Sequence, residues 1–168
     1  LGLIWAPARA YADNPDKAIG RISTYGGVPI EDVDSVRYNV IEMVRRARKD
    51  VVITSPYLVP GLEGMQTFAA STQRGVKFTL VTNSLAATDE PVVHTGYRRY
   101  RPQMLALGID LYELSPQKVS RSLRLGRFST SIGRLHAKSA VVDQNKVFIG
   151  SMNFDPRSDQ HNTEMGLF

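Results

Sequence analysis

Cysteine is absent from the 168 residues of this chain, tryptophan occurs once and histidine three times. Without cysteine, these residues form neither disulfide bonds nor thiolate metal sites, although the absence does not identify a cellular compartment. Long apolar runs are missing too, because the opening segment LGLIWAPARAYA is too short and too interrupted to cross a bilayer. The sequence therefore predicts a domain without covalent cross-links and without a membrane span among these residues.

The composition is that of a folded domain. Hydrophobic residues make up 42% of the chain and charged residues 22%, and 168 residues are enough to enclose one core. The formal net charge of +5 favours anionic partners, namely nucleic acid, anionic lipid or phosphorylated substrates. A solvated surface with an excess of bases accounts for the same charge, so the charge alone does not decide.

Helical and strand patterns alternate along most of the chain. Residues 1–30, rich in Gly, Pro and Asp, predict a linker or edge segment, and residues 31–168 predict one domain. We predict helices over 31–49, over 61–74 and from Pro91 to about Leu107, the last one capped by Thr88 or Asp89. Strands are predicted over 51–55, 76–82, 109–114, 135–143 and 146–151, the last two forming a hairpin around Gln144-Asn145. This alternation indicates an α/β fold, with a mixed β-sheet flanked by helices.

The chain ends and one internal segment depart from this pattern. The first residue is Leu rather than Met, and the last five residues begin a predicted strand, so we expect a piece of a longer protein. Residues 118–134 contain no acid and five bases: Lys118, Arg121, Arg124, Arg127 and Arg134. This basic run is typical of a solvated loop, and it also suits the binding of anionic lipid headgroups.

Side chains that suit a phosphate diester are concentrated in residues 134–154, RLHAKSAVVDQNKVFIGSMNF. Residues i and i+2 of a strand share a face, so His136 and Lys138 project together, as do Ser151 and Asn153 on the second limb of the hairpin. A hairpin can bring all four to one place. There an imidazole would react while the ammonium, the hydroxyl and the amide hold the phosphate oxygens.

This spacing resembles the HxKxxxxD…GS signature of the phospholipase D superfamily, with His136, Lys138 and Asp143 at the signature offsets and Gly150-Ser151 after them. The continuation, GSMNFDPRS over 150–158 and NTE over 162–164, is similar to the second catalytic half of bacterial cardiolipin synthases. Further segments resemble the same subgroup: SPYLVP over 55–60, TNSLAATD over 82–89, the spacing of His94, Tyr97 and Tyr100, and YEL over 112–114. The resemblance covers most of residues 30–168 and implies a phospholipase D-like half-domain.

The resemblance implies a two-step reaction that needs a pair of such motifs. One histidine attacks phosphorus and forms a phosphohistidine, the other protonates the leaving alkoxide, and a second alcohol then takes the phosphatidyl group. Because the N-terminal histidine is usually the nucleophile in two-motif members, His136 is implied to be the general acid. The residues themselves leave both roles open.

The implied catalytic set comprises His136, Lys138, Asp143 and Glu164. Lys138 is also implied to bind phosphate oxygens, together with Ser151 and Asn153. Glu164 would accept the second imidazole N–H and fix the tautomer of His136. Asp143 is implied to be more structural than chemical.

Three other residues are candidates to face the substrate. His94 is interpreted either as an ordinary histidine of a helix or as a substrate contact, and Tyr97 either as core or as part of a substrate path. Arg157 would pair with a carboxylate or with a substrate phosphate. His161 is predicted to be exposed. The resemblance implies neither metal nor other cofactor, and the sequence offers no ligand set.

The chain carries one motif only, since no second HxK occurs in its 168 residues. The missing motif would come from an N-terminal half of the same chain, or from a homodimer mate as in small single-motif nucleases of the superfamily. Asp155 and Ser158 favour the first arrangement, because those nucleases often carry Thr and Ala there. The resemblance thus implies a cardiolipin synthase-type transphosphatidylase, which acts on phospholipid and contacts the bacterial cytoplasmic membrane peripherally. The alternatives are a homodimeric phosphodiesterase acting on nucleic acid, and a non-catalytic half-domain for lipid binding or assembly.

Overall fold

The computed structural model describes residues 2, 5–20, 24–25, 28–29, 34–116 and 134–168. The strands in these ranges are β1 (Ala10–Ala12), β2 (Thr24–Tyr25), β3 (Val28–Pro29), β4 (Asp50–Thr54), β5 (Lys77–Asn83), β6 (Asp110–Leu114), β7 (Ser139–Val142), β8 (Lys146–Gly150) and β9 (Met165–Leu167). The helices are α1 (Val36–Arg45), α2 (Gly61–Gln73), α3 (Pro91–Ala106) and α4 (Pro156–Gln160). A 3₁₀ turn covers Pro15–Ile19.

Seven of the strands form one mixed sheet in the order β1-β9-β8-β7-β4-β5-β6, whereas β2 and β3 pair with each other. The strands β4, β5 and β6 run parallel, and every other neighbouring pair in the large sheet is antiparallel. Crossovers between parallel strands are right-handed, so α2 and α3 lie on the same face of the sheet. The predicted α/β fold with a mixed, helix-flanked sheet is confirmed.

The core lies between one face of the sheet and helices α1 to α3. Alternate strand residues pack there against the helices; they include Val51, Ile53, Phe78, Leu80, Ala140, Val142 and Phe148 from the sheet and Val36, Val40, Phe68, Tyr97 and Met104 from the helices. The intervening residues point to the opposite face, and several of them are apolar and exposed: Val52, Tyr112, Val147, Ile149 and Leu167. Burial on one face therefore fixes the register of the sheet.

Two helix starts differ from the prediction. The helix predicted over 31–49 begins at Val36, because the Ser35 hydroxyl caps it by accepting the Tyr38 N–H at 3.1 Å; residues 31–33 lie outside the described ranges. Helix α3 has Glu90, not Thr88 or Asp89, at its N-cap. The carboxylate of Asp89 instead accepts a hydrogen bond from Tyr57, at 2.9 Å.

The strand predicted over 135–143 begins later in the structure than predicted. Its ladder begins at Ser139, so His136 and Lys138 precede β7 rather than lying within it. The hairpin turn is centred on Asp143 and Gln144, one residue earlier than predicted. Both residues have positive φ, 52° and 61°, as a type I′ turn requires.

Part of the predicted linker builds the edge of the sheet. β1 pairs antiparallel with β9, and Arg9 exchanges two backbone hydrogen bonds with Phe168, at 2.8 and 2.9 Å. The basic run predicted over 118–134 falls outside the described residues except for Arg134, which is exposed.

Candidate active site

Lys138 and Ser151 of the motif meet at one end of the sheet. The C-terminal ends of β4, β5 and β8 and the N-terminal ends of β7 and β9 all lie at this end, because Thr54 pairs with Ser139 and Gly150 pairs with Gly166. The backbone N–H of Gly150 donates to the Lys138 carbonyl at 3.1 Å, which continues the ladder one residue beyond β7. Lys138 and Ser151 are therefore brought to the same end of the sheet.

His136 and Lys138 are in direct contact. The Nζ atom of Lys138 lies 3.4 Å from Nε2 of His136 and donates to the His136 carbonyl at 2.8 Å. The imidazole is exposed, whereas the lysine is half-buried. Burial lowers the pKa of Lys138, although the carboxylates of Glu164, Asp89 and Asp155 act in the opposite direction. An accessible imidazole beside a fixed cation suits reaction with an anionic phosphate.

Asn83 holds the segment that carries His136, a role that sequence reasoning missed. Its side-chain amide donates to the Leu135 carbonyl at 3.1 Å, and its Oδ1 accepts the Leu135 N–H at 2.9 Å. Asn83 is buried at the end of β5. The two bonds imitate a strand pairing, so they hold Leu135 to the end of β5 although it belongs to no strand. In the sequence, the only sign of this role is that a polar residue, Asn83, ends an apolar strand.

Ser151 is hydrogen-bonded to Glu164 and belongs to the group of His136, Lys138, Ser151 and Asn153, which we call the cradle. Its hydroxyl donates to Oε2 of Glu164 and accepts the Met165 N–H at 3.0 Å. Gly150, the preceding residue, leaves room for this contact, since a Cβ there would collide with the Met165 carbonyl and come within 2.8 Å of the Phe148 ring. Within the described residues no hydrogen bond joins Glu164 to His136. That Glu164 orients His136 therefore stays a prediction.

Asp13 anchors Glu164 from outside the predicted domain. Its carboxylate accepts the N–H groups of Glu164 at 3.1 Å and of Val36 at 2.9 Å, and it pairs with Lys17 at 2.6 Å. The Asp13 N–H in turn donates to the Glu164 carbonyl at 2.8 Å. Both carboxylates are buried. The edge strand, the start of α1 and the start of β9 are thus tied together at one side chain.

Asp143 lies at the other end of β7. Its carboxylate accepts backbone N–H groups from Arg48 at 3.0 Å, Lys49 at 2.7 Å and Asp50 at 3.3 Å. Burial raises its pKa, but these donors outweigh that effect and hold the pKa below the usual value. About 16 Å of strand separates Asp143 from Lys138. Asp143 therefore joins the hairpin to the start of β4, at the end of β7 away from Lys138, and its inclusion among the catalytic residues stays a prediction.

Tyr57 and Asp89 form a pair near the imidazole that sequence reasoning also missed. The hydrogen bond from Tyr57 lowers the pKa of Asp89, and the charges of Arg134 and His136 add to this effect. Burial and the same hydrogen bond raise the pKa of Tyr57 to about 12, so the phenol stays a donor at neutral pH. The pair adds a carboxylate to the rim of the site.

Asn153 is supported by the turn that follows it. Its N–H donates to the Ser158 hydroxyl at 3.3 Å, and its Oδ1 is buried without a partner among the described residues. Ser158 is itself held by Asp155, which caps α4 by accepting the N–H groups of Arg157 at 2.8 Å and Ser158 at 3.0 Å. Burial raises the pKa of Asp155. The DPRS run therefore forms a helix cap that positions Asn153.

The three residues predicted to face the substrate have different surroundings. His94 is half-buried in a cleft of about 10 Å³ beside Tyr57 and Asn83, and its Nε2 has no partner among the described residues. Tyr97 is buried, lines the same cleft and donates to Glu113 at 3.0 Å, and a substrate-facing role for it stays a prediction. Arg157 is exposed on α4.

Neither a metal centre nor a membrane span is present in the part of the chain that the structure describes. No group of three or more His, Asp or Glu residues there could hold a metal ion. No helix in those ranges has the length and apolar character needed to cross a membrane.

The chain is similar in sequence to a known family and to a curated protein. Residues 40–168 match the family model described as "Cardiolipin synthase, PLD-like domain". Cardiolipin synthase C of Escherichia coli (strain K12) is 39% identical over 169 residues, which cover 99% of this chain and 34% of that protein. The chain therefore spans about a third of the length of that relative.

Two solved structures share the fold. Phosphatidylserine synthase of Haemophilus influenzae Rd KW20 matches with a TM-score of 0.64 at 14% identity, over 95% of this chain and 34% of that chain. Nuc from Salmonella typhimurium, a phospholipase D family member, matches with a TM-score of 0.57 at 17% identity, over 96% of this chain and 80% of that chain. At such identities the likeness shows the fold alone.

Proposed function

The chain belongs to the family of cardiolipin synthase phospholipase D-like domains, and from that premise we propose that it supplies one half of a phosphatidyltransferase active site. The complete protein would move a phosphatidyl group from one phospholipid to phosphatidylglycerol at the surface of the bacterial cytoplasmic membrane. A second motif is required, and the greater length of cardiolipin synthase C favours an N-terminal half of the same chain as its source.

The contact between Lys138 and His136, at the end of the sheet where Ser151 also lies, is the observation that carries the proposal. The Lys138 Nζ lies 3.4 Å from the imidazole Nε2. A phosphate whose leaving oxygen contacts the imidazole would therefore lie beside this positive charge. Asn153 adds an amide to the same cradle, and Ser151 adds a hydroxyl that would donate to phosphate on release of Glu164. The ammonium and amide donors stabilise the charge that develops on the phosphate oxygens during in-line displacement.

The proposed reaction has two balanced steps. The imidazole of the other motif attacks phosphorus, a P–N bond forms, the P–O bond to the leaving glycerol breaks, and His136 gives its proton to the departing alkoxide. His136, now neutral, takes the proton of the incoming hydroxyl. The oxygen of that hydroxyl attacks phosphorus, and the P–N bond breaks. The histidine of the first step is thereby regenerated, and His136 is protonated again.

Three single variants of the complete protein test this proposal. His136→Ala and Lys138→Ala should each lower transfer between phosphatidylglycerol molecules in vesicles by roughly 10³-fold, since each removes a group that acts on the reacting phosphate. Thermal unfolding measured in parallel reports whether the fold is kept. His161→Ala is the matched control, because His161 is exposed at the end of α4 and should transfer at the wild-type rate.

Near-normal transfer by a folded His136→Ala variant would overturn the proposal. A wild-type protein that transfers nothing, yet cleaves DNA in a salt-sensitive manner, would also overturn it and would support a phosphodiesterase acting on nucleic acid instead.

A further inference from the structure

An apolar cavity of about 370 Å³ lies between α1, α2 and the segment that follows β8. Val44 from α1, Phe68 from α2 and Ile53 from β4 form its inner surface, and all three are buried. Met152 and Phe154 line another wall. The volume falls within the range of pockets that hold small ligands.

The cavity adjoins the phosphate cradle through one stretch of backbone. Met152 and Phe154, which line it, alternate along the chain with Ser151 and Asn153 of the cradle. The turn Leu58–Pro60 also lines the cavity and is held to this stretch, because the Val59 N–H donates to the Phe154 carbonyl at 2.7 Å. A single extended segment thus separates a polar site from an apolar one.

The charged residues at the cavity are already paired with protein groups. Glu63 and Asp159 both bind the guanidinium of Arg37, the former at 2.5 Å, and Asp155 accepts the two N–H groups that it caps. A ligand in the cavity therefore does not need to supply hydrogen-bond donors or positive charge to these carboxylates. Apart from Thr67 and Gln160 the remaining lining is apolar, which disfavours water and favours an apolar occupant.

We propose that this cavity binds one acyl chain of the phospholipid whose phosphate occupies the cradle. The inference rests on the proposed function, because the substrate must carry both a phosphodiester and a long hydrocarbon chain. The adjacency of the two sites matches that substrate, whose phosphate and acyl chains are joined by a short glycerol bridge. Burial of the chain supplies binding free energy that a headgroup alone cannot provide.

Photolabelling of the complete protein tests the site directly. Phosphatidylglycerol with a diazirine in one acyl chain is bound in mixed micelles and irradiated, and the labelled peptides are identified by mass spectrometry. Label should appear on α1, α2 or residues 152–156. Thr67→Phe, which fills the cavity from α2, should abolish this label, whereas Thr72→Phe, the same change outside the cavity on the same helix, should not.

A turnover measurement separates this proposal from the one on which it rests. Thr67→Phe should lower the ratio of long-chain to short-chain phosphatidylglycerol turnover by about tenfold, and Thr72→Phe should leave it unchanged. Transfer by a wild-type protein that is labelled only outside the cavity would overturn the acyl-chain site alone. Cavity labelling without any transfer would support the site and overturn the proposed reaction. Label that persists in Thr67→Phe would overturn the site.

Discussion

Asp143 receives three backbone N–H groups at the end of β7 that lies away from His136. The signature residues therefore lie at different ends of β7 although they occur at fixed offsets in the sequence. His136 and Lys138 contact each other at one end, whereas Asp143 secures the hairpin at the other. Gly150 of the Gly-Ser pair also has a structural role. A residue with a Cβ does not fit there, because the Phe148 ring and the Met165 carbonyl occupy that space.

A pH-dependent loss of stability is expected for Asp143→Asn. The native pKa of Asp143 is depressed, so its stabilisation is fully present above the unfolded pKa near 3.8 and is lost as the pH falls through the lower native pKa. At pH 7 the variant should lose about 1 kcal/mol of unfolding free energy, a modest value because the carboxylate is partly solvated. Urea denaturation at pH 7 and below pH 4 measures the difference.

The matched control is Asp110→Asn, since Asp110 is an exposed carboxylate at the start of β6. Its effect on unfolding should be small at both pH values. A deficit of Asp143→Asn that stays constant between pH 7 and acid pH would contradict the assigned role of the charge.

Secondary structure follows the sequence where burial is periodic. The strands β4, β5 and β6 and the helices α2 and α3 lie close to their predicted ranges, because alternating or helical apolar spacing decides both pattern and packing. The stretch 135–137 has the same strand-like character, yet it lies outside the ladder. The buried amide of Asn83, from a distant strand end, binds the backbone groups of Leu135 instead, and local patterns do not report such a contact.

Asn83→Ala should release the segment that carries His136. Two backbone groups of Leu135 lose their partners, so the unfolding free energy should fall by about 2 kcal/mol and the Leu135 amide should exchange faster with solvent. Amides within β7 should keep their protection, because their partners are strand backbones. Hydrogen exchange of the purified protein, followed by mass spectrometry or NMR, measures both.

Ser84→Ala provides the comparison, as Ser84 follows β5 directly and its hydroxyl has no partner among the described residues. Unchanged protection of Leu135 in the Asn83→Ala variant would show that the amide clamp does not hold the segment.

At the scale of the molecule, one end of the sheet gathers groups from widely separated parts of the chain. Asp13, from the predicted linker, contacts Glu164 near the opposite end of the sequence. The sequence indicated that residues 134–154 belong to a site, because the motif is local. It gave no sign of Asp13, since the pairing of β1 with β9 is set by tertiary structure alone.

Asp13→Ala should destabilise the fold by about 3 kcal/mol, because loss of the buried carboxylate leaves two backbone N–H groups without an acceptor and removes the counter-charge of Lys17, which retains the Ser158 carbonyl. Asp110→Ala removes an exposed carboxylate and should cost much less. Chemical denaturation of both variants gives the comparison, and equal stability of the two would contradict a structural role for residues 10–20.

In the reaction that we propose, His136 acts as the proton donor and acceptor, while the histidine of a second motif carries the phosphatidyl group. Phosphatidyl-p-nitrophenol tests it most directly, because p-nitrophenolate leaves without needing a proton. A His136→Asn variant of the complete protein should still form the phosphohistidine but then stall, since no base activates the incoming alcohol.

Rapid mixing of that variant with phosphatidyl-p-nitrophenol should release a burst of one p-nitrophenolate per active site, followed by very slow turnover. Peptide mapping of the quenched protein should find the phosphatidyl group on a histidine other than His136. A variant that gives no burst, or that continues to turn over like the wild type, would contradict the account.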